Sequence, residues 1–546
     1  MGVNNAGSTT RPTEEDQLAA YIPPDAPPWY KQGHLLHLNF IIVSLVMYSS
    51  ANGFDGSLMN GLEALDQWKD FMNHPAGSWL GWINAIYWLG CGVGYPTASW
   101  IANRWGRKPG VYVGYCFLAL GCALQTAAPN DKAFLLARLF LGAASALFGN
   151  AVPLLINEIA YPSHRGILNS LFMSGWYVGG TVAAWVVFAS RDYSSSWAWR
   201  LPSLLQLLVP LVGFPGFFLA PESPRWLVSV GRDDEARAIL TRYHAAGDEN
   251  SPLVNYEFQE IIATIRAEQQ AASDGSYLEM IKTAGNRRRL MISITLGMFA
   301  QWVGNGVISY YLSLILTSVG VTNVRDQTLI SACLQMWDLA FAALGAYLSD
   351  RLGRRPLFLA SAVIMFVSYV LVTALSGVFR GHTKYRDWRC RHSVPVYLLR
   401  RLLHCAVSFF SFVTLSYQPI TDSIPITLRT PFLTGYPCEI WPYRLRSRGL
   451  TVTWVATIVG MFFNTFVNPI ALAAIAWRYY IVFIAVLLVF GVTAFFFYPE
   501  TKGYSLEQIA VIFDGPEALV GNATDIANAT EDLKESGSFT AHEESV

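Results

Sequence analysis

The sequence predicts an all-α membrane protein whose twelve transmembrane helices form two related six-helix bundles. Of its 546 residues, 53% are hydrophobic and only 14% are charged, whereas soluble domains carry about 25% charged residues. Long runs almost free of charge recur along the chain, and three motifs occur twice in the same order. The 38 Lys and Arg residues balance the 38 Asp and Glu residues, so no basic surplus exists for binding nucleic acid.

Eleven apolar runs are long enough to cross a bilayer, which takes roughly 20 residues in a helix. We place these spans at 35–54, 79–102, 109–130, 133–157, 166–190, 201–220, 290–318, 327–349, 356–379, 449–476 and 479–498. A twelfth is expected within 394–437. The polar start of the chain has no short apolar segment with a cleavage site, so we expect a cytosolic tail there and no signal peptide.

The distribution of charge between the loops predicts the orientation of the spans. Loops after spans 2, 4, 6 and 8 are basic, whereas those after spans 1, 3 and 7 are short or acidic, as at Glu63, Asp66 and Asp70. Because Lys and Arg stay on the cytosolic side, both termini are predicted to be cytosolic. The predicted units are a tail (1–34), an N-terminal bundle (35–220), a cytosolic linker with short helices (221–289), a C-terminal bundle (290–498) and a second tail (499–546).

Three motifs at equivalent places indicate that the two bundles are repeats. Residues 103–108 recur as 350–355, the segment from Glu158 recurs from Glu439, and residues 221–225 recur as 499–503. A single basic cluster would be explained by membrane topology alone, but three motifs in one order would not. The candidates for tight turns and ion pairs at the cytosolic helix ends are Arg104, Gly106, Arg107, Glu158, Arg165, Glu222, Arg225, Asp350, Gly353, Arg354, Glu439, Arg446 and Glu500.

With these motifs the chain resembles the sugar porter family of the major facilitator superfamily, and within it the fungal lactose- and oligosaccharide-permease-like members. The resemblance covers residues 35–378 and 432–510. It implies the major facilitator fold, alternating access and a sugar site between the halves. The sequence contains no phosphate loop, metal-ligand spacing or nucleophile–base arrangement, so neither an enzyme nor an ATP-driven pump is predicted, and no cofactor or metal is expected.

The repeat spacing exposes an anomalous segment at 380–431, next to the expected tenth span. Gly106 and Gly353 are 247 residues apart, whereas Glu158 and Glu439 are 281 apart, so the second half contains extra residues. The start of the segment is rich in arginine, where an external loop and an apolar helix are expected. We interpret it as a frameshift followed by a retained intron. The alternative is a genuine, divergent external loop.

Amides and tyrosines in the later spans are the candidates for sugar binding, because a sugar needs polar and aromatic partners in an accessible cavity. The run from Gln301 through Asn305 to Tyr310 and Tyr311 is similar to the family's sugar-binding element in span 7. The resemblance also places Asn464 and Asn468 of span 11 near the sugar. Hydrogen bonding between helices is the alternative for the amides, and anchoring at the membrane interface is the alternative for the tyrosines.

Charged residues inside predicted spans are candidates for coupling, since such groups are costly in a membrane. Asp55 in span 1 and Arg138 in span 4 match the Asp–Arg pair that proton-coupled family members use. The alternative is a static ion pair. Asp338 in span 8 is a further acid, and the sequence does not decide whether it binds protons or its neighbours.

The resulting hypothesis is a proton-coupled importer of a disaccharide or hexose, a monomer in the plasma membrane with a sugar, protons and lipid as its partners. One alternative is a sugar sensor without turnover, although the tail at 499–546 is short for a signalling segment. A second alternative is a transporter of another small polar metabolite. Met173 and Thr434 favour it, because they stand where the family has sugar-contacting residues.

Overall fold

The computed structural model describes residues 27–274, 278–318, 321–352, 362–374, 440–499 and 512–514, with residues 359, 376, 436 and 437. The first half consists of long apolar helices. These helices are α1 (Gly33–Leu62), α2 (Asp66–Phe71), α3 (Gly77–Trp105), α4 (Arg107–Thr126), α5 (Asp131–Ile159), α6 (Arg165–Ser190), α7 (Trp197–Leu205) and α8 (Leu208–Leu219).

Four described helices, one of them 23 residues long, follow in the linker and lead into the second half. The linker contains α9 (Pro224–Ser229), α10 (Asp233–His244), α11 (Pro252–Asp274) and α12 (Glu279–Lys282). The second half contains α13 (Ala284–Trp302), α14 (Asn305–Ser318), α15 (Val324–Leu352), α16 (Ala362–Ala374), α17 (Tyr443–Ile475) and α18 (Tyr479–Phe497).

Local chemistry explains several helix boundaries. The Asn130 side chain accepts a hydrogen bond from the Ala133 backbone at 2.9 Å and so caps α5. Helices α3 and α4 are joined through the single residue Gly106, whose φ of +102° is in the region that favours glycine. Gly304, with φ +105°, interrupts the helix between α13 and α14.

Each half has its own buried core, and among the described helices three pairs make the most extensive contacts between the halves. Helix α3 packs along α17, α6 packs along α15, and α1 meets α14. The backbones of α3 and α17 approach so closely that a side chain on Gly81 would collide with the Phe466 carbonyl. The joint between the halves therefore uses α3 and α6, the second and fifth long helices of the first half, with α15 and α17 of the second half.

The described helices agree with most of the predicted spans and correct two of them. Five described segments are long and apolar enough to cross a membrane: Gly33–Leu62, Arg107–Thr126, Asp131–Ile159, Trp197–Leu219 and Arg448–Phe497. The spans predicted as continuous at 201–220 and 290–318 are each divided into two helices. Periodicity did not reveal these breaks, because the residues on both sides remain apolar. The segment 380–431 and most of the expected tenth span lie outside the described residues.

Candidate functional site

Asp55 on α1 and Arg138 on α5 form a buried ion pair between two helices of the first half. Arg138 Nη1 donates to Asp55 Oδ1 at 2.8 Å, and the two side chains are only 4% and 7% exposed, arginine first. The guanidinium also lies over the Tyr87 ring, 4.8 Å from its centroid. Among the described residues, Asp55 Oδ2 and Arg138 Nε have no hydrogen-bond partner. The two residues predicted to couple protons are therefore in contact, with one carboxylate oxygen unused.

The helix break at residues 303–304 changes the geometry predicted for span 7. Because Gln301 and Asn305 are four residues apart, a continuous span 7 predicts that they share one helical face, but α13 ends at Trp302 and α14 begins at Asn305. The Tyr369 hydroxyl donates to the Gly304 carbonyl at 2.8 Å, which holds the break in place. The premise of a shared helical face is therefore wrong. Gln301 is buried, and nothing is described of the Asn305 side chain.

The amides of α17 contact neighbouring helices in this conformation. Asn464 Nδ2 donates to the backbone carbonyl of Gln301 at 2.9 Å, and so ties α17 to α13 next to the break. Asn468 Oδ1 accepts a hydrogen bond from the Tyr479 hydroxyl at 2.9 Å. Both side chains are buried. The structure brings Gln301 and Asn464 together, whereas Asn468 points to α18.

Tyr310 and Tyr311 lie where α14 meets α1, near the end of the bundle at which α1 terminates. We call this the outer end, following the predicted orientation. Tyr311 is fully buried among first-half side chains, and its hydroxyl donates to the Thr465 carbonyl. The Tyr310 ring packs against Trp88. One residue further on, the Leu312 N–H donates to Asn60 Oδ1 at 3.1 Å. The two halves are therefore in contact at the outer end.

The opposite, inner end contains the repeated charged motifs of the first half. Arg107 donates twice to Glu158, from Nη2 to Oε1 at 2.8 Å and from Nε to Oε2 at 2.9 Å. We expected Glu222 to pair with an arginine, but its carboxylate instead accepts the backbone N–H groups of Arg107 and Lys108 at 3.0 and 3.1 Å. It thus caps the start of α4, where the unpaired N–H groups and the helix dipole favour an anion.

The other predicted residues of the inner end are only partly described. Arg104 is exposed, while Arg225 and Arg446 are half-buried. The side chains of Arg165 and Asp350, and the whole of Gly353, Arg354, Glu439 and Glu500, lie outside what the structure describes. The predicted equivalence of the two inner-end networks therefore stays a prediction.

A buried acid besides Asp55, Glu63, lies at the outer end and is not among the predicted site residues. Glu63, which we had counted as part of an acidic external loop, is only 5% exposed. Its Oε1 accepts a hydrogen bond from Asn84 Nδ2 on α3 at 2.8 Å. The sequence contained a local signal for this burial, because Glu63 lies between the apolar residues Leu62 and Ala64. The exposed acids Asp66 and Asp70 follow later in the loop.

Asp338 lies near the middle of α15 and is almost completely buried. Neither of its carboxylate oxygens has a hydrogen-bond partner among the described side chains. An ionised carboxylate without partners is very costly in apolar surroundings, so this environment favours the neutral acid.

Two joined helical halves and a buried charge pair between membrane helices define a membrane transporter of the major facilitator type. The family model described as "Sugar (and other) transporter" matches residues 41–513. The chain belongs to this family, and its relatives are transporters and not enzymes.

Relatives and solved structures cover most of the chain. The MFS-type transporter criB of Aspergillus cristatus is 28% identical, covering 86% of this chain and 91% of that protein. The low-affinity glucose transporter HXT1 of Saccharomyces cerevisiae is 26% identical, and the match covers 89% of this chain and 83% of that protein. The fold is similar to that of the proton:xylose symporter XylE bound to 6-bromo-6-deoxy-D-glucose, with a TM-score of 0.66, 19% identity, and coverage of 87% of this chain and 99% of that one.

Proposed function

We propose that this protein is a secondary active transporter that takes up a disaccharide or a hexose together with protons, by alternating access. The observation that carries the proposal is the buried contact of Asp55 and Arg138 at 2.8 Å. Charged groups inside membrane helices are costly and mark functional sites by default. The name of the xylose symporter with a similar fold adds support.

The coupling step follows from the electrostatics of this pair. While Arg138 touches Asp55, its positive charge stabilises the ionised carboxylate. When the two helices move apart, the carboxylate loses its counter-ion in apolar surroundings, where the neutral acid is strongly favoured. Asp55 therefore takes up a proton in one conformation and returns it in the other. The unused Oδ2 is the atom available to hold that proton.

The sugar site lies in this proposal at the junction of α13, α14 and α17. Its residues are Gln301, Asn305, Tyr310, Tyr311, Asn464 and Asn468. The bond from Asn464 Nδ2 to the Gln301 carbonyl, beside the helix break, supports a common position for these two amides within the second half. In this proposal, sugar hydroxyls replace such interhelical hydrogen bonds when the sugar binds, which keeps the buried amides paired in both states.

The membrane arrangement completes the proposal. Twelve spans and cytosolic termini are proposed from the repeats and the charge pattern, and a plasma-membrane location and a monomeric state are proposed with them. The Arg107–Glu158 pair and its repeat hold the inner ends of the helices in one conformation and release them in the other.

A second candidate function is transport of a different small polar metabolite. The relative criB is named only as an MFS-type transporter, without a sugar. Met173 and Thr434 replace residues that contact sugar in the family. A sugar sensor without turnover is the remaining alternative, and it predicts binding without uptake.

The segment 380–431 is proposed to be a frameshift followed by a retained intron, on the strength of the excess spacing and misplaced arginines. Sequencing of the transcript tests this directly. An uninterrupted, in-frame transcript through residues 380–431 would show that the segment is real.

The transport experiment uses yeast that lacks its own hexose and disaccharide transporters. Both the given chain and a version with the corrected reading frame are expressed, and uptake of labelled sugars is followed with and without a proton uncoupler. We expect accumulation that the uncoupler abolishes. Uptake that ignores the uncoupler would refute proton coupling while sparing sugar transport. A protein that reaches the surface without taking up any tested sugar would favour the sensor or the other metabolite.

A further inference from the structure

Glu63 lies at the point where three helices from both halves meet at the outer end. It follows the last residue of α1, and Asn84 of α3 donates to its Oε1 at 2.8 Å. From the second half, the Ser313 side chain of α14 lies close to the same carboxyl group. The neighbouring bond from Leu312 N to Asn60 Oδ1 joins α14 to α1 at this level. An acid in this position senses whether the halves are together or apart.

The hydrogen bonds around Glu63 are incomplete in a way that points to a proton. Among the described residues, Glu63 Oε2 and Asn84 Oδ1 are both buried without a partner. Both atoms are acceptors, so neither can satisfy the other as long as the acid is ionised. The Ser313 hydroxyl beside the carboxyl group is one donor, and a proton on Glu63 supplies a second, which makes the contact with Asn84 reciprocal. This satisfies a buried pair that otherwise carries a desolvation penalty.

The surrounding charges are too few to hold Glu63 ionised. Burial raises the pKa of Glu63 from its ordinary value of 4.5 to about 8, against the opposing effects of the Asn84 hydrogen bond and of Arg138, Lys69 and Ser313. Arg138 is already bound to Asp55, and Lys69 to Asp66. The titratable and charged groups that face Glu63 from the packed elements are Lys69, Arg138 and Tyr311.

We propose that Glu63 is a proton-operated lock of the outer gate, in which the neutral acid holds α1, α3 and α14 together and loss of its proton to external water favours opening. The proposal rests on the alternating access argued above. Opening hydrates the carboxyl group, and the hydrated acid ionises at neutral pH. Low external pH therefore stabilises the closed outer gate. This stabilisation is lost as the external pH rises from about 4.5 towards about 8.

The test measures opening of the gate directly, without any sugar. Leu58 on α1 is fully buried in the cluster that contains Tyr311, so a Leu58→Cys variant becomes accessible only when the outer gate opens. A membrane-impermeant maleimide is applied to intact cells at external pH 5.5 to 8.5. Labelling is divided by that of an Ala76→Cys variant, whose position is exposed, because thiol reactivity itself rises with pH.

We expect the labelling ratio to rise with pH, by up to about tenfold per pH unit between the two pKa values. Adding Glu63→Gln, which keeps the neutral pairing with Asn84, should make the ratio low and independent of pH. Asn84→Asp places a second acid beside Glu63 and should shift the rise to higher pH, since two carboxyl groups share one proton. Asp70→Asn, at an exposed acid of the same region, should leave the rise unchanged.

An unchanged pH dependence in the Glu63→Gln variant would overturn the lock, and so would a rise in the Asn84→Asp variant at the same pH as in the parent. Surface abundance of each variant is measured with a tag. Because the Glu63 and Asn84 substitutions are at different sites, misfolding of one variant leaves the other as a test. Sugar uptake is followed in parallel. A pH-dependent gate in a protein that takes up no sugar would refute the proposed transport and leave the lock standing.

Discussion

Replacing Asp55 by Asn tests the coupling scheme at its central contact. The substitution preserves shape and leaves an oxygen that can still accept the 2.8 Å bond from Arg138, but it removes the negative charge. Removing one charge of a buried pair destabilises it by about 3–5 kcal/mol, and the remaining hydrogen bond to a charged group offsets about 1.5–3 kcal/mol. The net effect of about 1–3 kcal/mol lowers the population of the paired conformation by roughly 5- to 150-fold.

The larger effect is on accumulation, because an amide cannot carry the proton. A membrane potential of about 100 mV supplies about 2.3 kcal/mol per proton, and a difference of one pH unit adds about 1.4 kcal/mol. With one proton per sugar, these terms permit accumulation of roughly 500-fold. The Asp55→Asn variant should instead approach equal sugar concentrations on both sides, while exchange of labelled for unlabelled sugar continues.

The assay combines two measurements on the same cells. Net accumulation is compared with and without an uncoupler, and exchange is measured with sugar on both sides of the membrane. A matched control is Asp192→Asn, since Asp192 also pairs with an arginine at 2.9 Å but is 74% exposed. The control should accumulate sugar normally. If the Asp55→Asn variant retained uncoupler-sensitive accumulation, Asp55 would have no part in coupling.

Three further predictions concern other described contacts. Gln301→Ala and Asn464→Ala should each raise the KM for sugar by about tenfold or more, as expected for loss of a buried polar contact, and unchanged kinetics in both variants would remove these amides from the sugar site. Glu222→Ala should lower stability by about 1–2 kcal/mol through loss of the cap on Arg107 and its neighbour, and a thermal unfolding midpoint equal to that of the parent would contradict this. Asp338→Asn should retain uptake and its pH profile, because neither Asp338 oxygen has a hydrogen-bond partner among the described residues and such surroundings favour the neutral acid. A shifted profile would show that Asp338 exchanges protons.

Much of the architecture was predictable, because apolar length and charge bias act locally. The described helices begin and end within a few residues of most predicted spans. The pairing of Asp55 with Arg138 was also expected, although from the family resemblance. The break at Gly304 was not, because a single glycine within an apolar run is compatible with a continuous helix, and it is the Tyr369 hydroxyl from another helix that holds the break.

The role of each polar residue was less predictable than its position. Glu222 was expected to pair with an arginine and instead caps α4, because Gly106 turns the chain so that two backbone N–H groups face the carboxylate. Asn468 was grouped with Asn464, yet it bonds to Tyr479. In both cases the hydrogen-bond partner is more than ten positions away along the chain. Local spacing does not show which distant residues become neighbours in the folded protein.

The sequence by itself determined the membrane setting, the duplicated organisation and the residues whose charge is costly in lipid, since these depend on composition and order along the chain. Only the tertiary structure decided which polar atoms meet and which stay unpaired. It placed Glu63 beside Asn84 instead of in water, because the end of α1 continues beyond the predicted span and is covered by α3 and α14. An acid becomes sensitive to protons through the burial that surrounding helices impose, and that burial is a property of the packed bundle.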